Sequence, residues 1–127
     1  MSLRVIPDED RPSATVEIPL EKPLPDYDLF QLEQPTPRDV DAILVSQGFR
    51  DLVDDARGML TEMLSGTGLE ITQLTGAICP GEDEVYRPGI WIVLNDRNTP
   101  SKSSLSAAIV ERISALAAQL AQRLSLS

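Results

Sequence analysis

Between positions 14 and 20 the chain alternates. Ala14, Val16, Ile18 and Leu20 are apolar, while Thr15 and Glu17 between them are polar. A period of two puts the apolar set on one face of a short, half-buried strand. Pro19 has no N–H to give to a ladder, which assigns that strand to a sheet edge. Its surroundings are rich in proline: seven of the ten prolines fall within the first 37 residues, and no glycine precedes Gly48. Such density forbids a long helix. Residues 1–36 therefore read as an extended arm with one short strand and a small apolar cluster at Tyr27, Leu29, Phe30 and Leu32.

Beyond this arm the period changes from two to 3.6. Thr36-Pro37-Arg38-Asp39 has the make-up of a helix start, with a capping hydroxyl, proline at the first helical position and an acid in the first turn. Apolar residues follow at Val40, Ile43, Leu44, Phe49, Leu52, Val53, Ala56, Leu60, Met63 and Leu64, which from Phe49 onward share one helical face. A glycine costs about 1 kcal/mol inside a helix, so Gly48 predicts a bend or break near Ser46-Gln47-Gly48. The run Ser65-Gly66-Thr67-Gly68 predicts the helix end.

Two strands come next. Residues 69–79 mix Leu69, Ile71, Leu74 and Ile78 with threonines, a β-prone composition. Residues 89–94, Gly-Ile-Trp-Ile-Val-Leu, are apolar on both faces, which predicts a central, doubly covered strand. A loop through Glu82, Asp83 and Glu84 joins the two. The last helix is expected to start near Thr99-Pro100-Ser101 and run to Leu124, with a stripe at Leu105, Ile109, Ile113, Leu116, Leu120 and Leu124. The whole reads as α+β: a proline-rich arm (1–36) with an edge strand, then an α–β–β–α core (37–127) whose helices pack on a small antiparallel sheet.

Composition narrows the function. The chain has no histidine and one cysteine, Cys79. That excludes an intrachain disulfide, a Cys/His zinc site and a nucleophile activated by histidine. Net charge is −9 over 127 residues, which disfavours a broad contact with nucleic-acid phosphates. No apolar run is long enough to span a bilayer and no basic-then-apolar leader opens the chain, so no membrane partner is expected and the location is read as cytoplasmic. The charge is uneven. Residues 1–36 carry eight acids against three bases, whereas residues 97–127 carry one acid, Glu111, against Arg97, Lys102, Arg112 and Arg123.

Candidate chemistry is sparse. Asp-x-Asp occurs at Asp8/Asp10, Asp26/Asp28 and Asp39/Asp41, which eleven aspartates produce at close to chance level. No metal or cofactor is expected. Cys79 reads as a buried, inert thiol. Asn95-Asp96-Arg97 lies between a strand and a helix, where α/β proteins place ligands, which makes Asp96, Arg97 and Trp91 the candidate ligand contacts. The last helix, expected to be longer than the strands beneath it, carries the candidate interface: Ile109, Ile113, Leu116, Leu120 and Leu124. The reading that follows is a non-catalytic interaction or assembly module that forms a homodimer. The alternative is a small-molecule-binding or enzymatic domain using Asp96, Arg97 and the acidic loop 82–84.

Overall fold

A computed structural model describes residues 3–20, 37–80 and 86–126. Its elements are β1 (Arg4–Pro7), β2 (Ser13–Pro19), α1 (Pro37–Leu44), α2 (Gln47–Leu64), β3 (Leu69–Pro80), β4 (Tyr86–Asp96) and α3 (Ala107–Leu126). The strands form one antiparallel sheet in the order β1-β2-β4-β3. The helices lie on one face of it, α2 over β3 and α3 over β1 and β2, with the two helices touching each other. This is the α+β arrangement that the sequence pattern predicts. Among the described residues no helix is long and apolar enough to cross a membrane.

The alternating stretch 14–20 is not at an edge. β2 lies between β1 and β4, and β1 is the outer strand of that side. Pro19 is accommodated by the direction in which its missing N–H would point. Leu20 N donates to Pro88 O and Asp96 N donates to Pro12 O, so even-numbered residues of β2 and β4 turn towards each other. Pro19 therefore faces the β1 side, and β1 pairs with β2 only between Ala14 and Glu17. The β2–β4 ladder loses no bond to it.

The helix break falls where Gly48 predicts it. Ser46, extended at φ −64 and ψ 138, caps α2 by accepting from Phe49 N at 3.2 Å. The end of α2 uses Gly66 and Gly68, both at positive φ (78 and 81), a region that costs other residues more. The expected cap of α1 at Thr36 and the cluster Tyr27–Leu32 lie outside the described residues, as does the loop 82–84. The last helix starts at Ala107, later than the expected start near Thr99. Thr99 gives its hydroxyl to Asp96 at 2.6 Å instead of capping, and Ser106 receives Ile109 N at 3.4 Å. The strands, in turn, outgrow their expected limits, reaching 12 residues in β3 and 11 in β4. At about 3.3 Å per residue β4 extends some 36 Å, and at about 1.5 Å per residue the 20-residue α3 extends some 30 Å. The sheet covers the helix, not the reverse.

The core fills the space between the layers. Val16, Ile18, Ile90, Ile92 and Leu94 rise from the sheet to meet Ala56 and Leu60 of α2 and Ile113, Ala117 and Leu120 of α3. A smaller cluster of Leu20, Ile43 and Phe49 closes the α1 end. Here the Phe49 ring lies directly over Gly76 of β3, so close that a Cβ at position 76 would overlap ring atoms Cε2 and Cζ. Phe49 is itself buried, at 1% exposure. Gly76→Ala should thus cost about 1–3 kcal/mol in urea denaturation, the range of an overpacked core. Combining it with Phe49→Leu should cost less than the two changes summed, because the overlap is then gone.

Candidate functional site

With the described helices all on one side, the other face of the sheet is built from alternate strand residues. The registers align them in rows: Ile6, Thr15, Val93 and Gln73 form one, and Arg4, Glu17, Trp91 and Thr75 form the next. Trp91 thus stands on the middle strand of its row, half-buried, between Glu17 and Thr75. Ile6 is 44% exposed on the same face. Glu17 Oε2 is buried without a hydrogen-bond donor among the described residues, and Arg4 Nη1 lies 3.5 Å from it. Among the described residues no helix covers β4 on this face, where Trp91 and Val93 are half-buried and not enclosed as the expectation of a doubly covered strand has it. Trp91 and Val93 are apolar, so the sequence hides the alternation, which becomes visible only through their neighbours Thr15, Thr75 and Gln73.

One end of this face opens into a depression of about 480 Å³, lined among others by Arg11, Ser13, Thr72, Val93, Asn95 and Arg97. Asp96 and Arg97 both stand at its margin, as the sequence reading expects, but their side chains are engaged. Asp96 is 3% exposed. Its Oδ1 accepts from Asn98 N at 3.2 Å and its Oδ2 from the Thr99 hydroxyl, which is an Asx turn that shapes the loop. Arg97 Nε lies 3.9 Å from Glu70 Oε2, and Glu70 Oε1 accepts from Asn95 Nδ2 at 3.2 Å. Asp8 has a similar turn role, accepting from Asp10 N at 2.8 Å.

The opposite end of the face holds Cys79, which is 2% exposed. Its Sγ occupies the space that Gly89 leaves free, since a Cβ at Gly89 would lie 2.8 Å from it. Burial, helped by the Glu17 carboxylate, pushes the thiol up from 9.0 to about 12. Such a group is a poor nucleophile at neutral pH.

The expected interface residues of α3 are largely spent inside the single chain. Ile113 and Leu120 are fully buried and Leu124 is 7% exposed, while Ile109 and Leu116 are half-buried against the same core. The chain matches no protein-family model, no curated protein and no solved structure.

Two outcomes follow from these placements. Asp96→Ala strands the Asn98 amide and the Thr99 hydroxyl, and should lower the unfolding free energy by about 1–3 kcal/mol. Thr99→Val should add little to it in the double variant, which urea titrations will check. Cys79 sets a pH dependence. Between about pH 9 and 12 the unfolded thiol has lost its proton and the folded one has kept it. Folded protein thus binds the extra proton, and stability falls by about 1.4 kcal/mol per pH unit from this group alone. Below pH 9 its contribution is complete. Comparing the wild type with Cys79→Ala at pH 8 and pH 10.5 should remove that part of the loss.

Proposed function

We propose that the chain is a non-catalytic interaction and assembly module that binds a partner protein through the helix-free face of its sheet and also associates with copies of itself. The observation that carries this reading is Trp91. A tryptophan on an inner strand of an antiparallel sheet, half-buried and flanked by Val93 and by threonines, has the aromatic area and rigidity typical of a binding hot spot. The Arg4–Glu17 pair beside it supplies a polar border, and borders of that kind set orientation more than affinity. We also place the protein in the cytoplasm, where an unpaired thiol such as Cys79 stays reduced. The small-molecule alternative draws on the depression at Arg97, but the carboxylate it needs, Asp96, is committed to its turn.

A photoreactive benzoylphenylalanine at Thr15 tests the face directly in native cells, with the same residue at the exposed Ala115 of α3 as control. Adducts should form from position 15 only and disappear with Trp91→Ala. Equal adducts from both positions, or none from position 15, would remove the face from consideration. An adduct at twice the mass of 13.9 kDa would identify the partner as a second copy.

A further inference from the structure

The outer edge of β3 forms, with a groove above it, a second surface distinct from the Trp91 face. Its backbone directions follow from the ladder. Even-numbered residues of β4 turn to β2, so Gly89, Trp91 and Val93 turn to β3, where their partners are Ala77, Thr75 and Gln73. The intervening residues Leu74, Gly76 and Ile78 therefore point their N–H and C=O groups outward. Arg57 of α2 agrees with this, since its Nη2 donates to Leu74 O at 3.0 Å. Among the described residues no strand pairs with this edge.

Three further features belong to the same edge. Residues 71–80 carry no charge, so the strand lacks the inward or edge lysines that commonly block pairing. Beside the Phe49 ring that covers Gly76 lies a groove of about 400 Å³, lined by Leu44, Phe49, Arg50, Val53, Asp54 and Gly76 itself. An edge strand next to an apolar groove is the arrangement used for strand addition, in which backbone bonds give affinity and the groove gives selectivity. The groove wall carries both signs of charge along α2, with Arg50 and Asp54, and Arg57 Nη1 lies 3.2 Å from Asp54 Oδ1.

We propose that β3 pairs antiparallel with β3 of a second copy about a two-fold axis at Gly76, joining the two sheets into one of eight strands. The proposal rests on the self-association part of the function above, not on the Trp91 face. The sequence 74–78, Leu-Thr-Gly-Ala-Ile, is compatible with itself in this register. Leu74 meets the partner's Ile78, Thr75 meets the partner's Ala77, and Gly76 meets the partner's Gly76, with no like charges opposed. Only a perpendicular two-fold axis satisfies antiparallel pairing within one sheet, and it makes the contact isologous. The same axis sets the two α2 helices side by side and antiparallel. The two grooves then open on the same side of the joined sheet.

The test combines light scattering with amide hydrogen exchange on the wild-type chain, over about 1–200 µM. The expected result is a mass rising to twice 13.9 kDa, with the outward amides of Leu74, Gly76 and Ile78 gaining protection over the same range. Replacing the exposed Gln73 and Thr75 by lysine should raise the dissociation constant about tenfold or more, with an unchanged circular dichroism spectrum. A dimer whose dissociation constant ignores both lysines, and whose three amides gain no protection, would overturn the edge pairing and leave self-association to another surface. A monomer throughout would overturn both, and would leave the Trp91 face standing.

Discussion

β4 pairs with β2 along one side and with β3 along the other, and the two registers must agree on which of its faces is buried. A slip of one residue would turn Ile90, Ile92 and Leu94 towards solvent and drive Trp91, Val93 and Asn95 under the helices. The agreement is reinforced at both ends of the strand. Asp96 N donates to Pro12 O at 2.8 Å on one side, and Arg97 N donates to Gly68 O at 3.0 Å on the other. Gly89 lets Cys79 and the β2 backbone close in at the far end, where any side chain would meet Ile18 O. Gly68, at φ 81, does the same beneath Asn98. The helices are placed by this sheet and add to it. They do not define it.

That order of construction decides what α3 is for. Its stripe of apolar residues looks, in the sequence, as suited to a second copy as to its own sheet. Ile113 and Leu120 are each 0% exposed, and truncating such a side chain costs about 2–5 kcal/mol of folding free energy. A charge placed at Leu120 would therefore unfold the chain before it separated two chains. Among the described residues, folding leaves the sheet's far face without a helix and the β3 edge without a paired strand.

Much of the fold was legible because local chemistry and global fold agree. The helix break at Ser46, the glycine stop after Leu64 and the strand limits near Leu69 each follow from residues that act within a few positions of themselves. What stayed hidden depends on partners distant in sequence. Pro19 marked an edge because its direction relative to β1 cannot be read from one strand. The strand of Trp91 looked covered on both faces because an apolar residue on a face without a helix carries no mark of exposure. Asp96 looked free for a ligand because its acceptors are filled by Asn98 and Thr99 only once the loop has folded. Arg97 was placed correctly at the margin of a depression, but its pairing with Glu70, 27 positions away, had no signature at all.

The two edges of the sheet are managed in different ways, and the difference is informative. β1 is four residues long and ends at Pro7, so it offers few groups for pairing and stops with a residue that cannot donate. β3 is three times as long. Among the described residues it is shielded by an irregularity between Ile71 and Gln73 and by one guanidinium, Arg57, on the Leu74 carbonyl. A proline blocks a ladder permanently, whereas an arginine bound to a carbonyl does so only while it stays there. Arg57 is half exposed and already has a second acceptor in Asp54, so releasing Leu74 O costs it one bond and leaves its charge paired. The edge is thus shielded in the isolated chain by a contact that a competing strand can displace. Past the irregularity, from Leu74 to Ile78, nothing in the side chains repels such a strand.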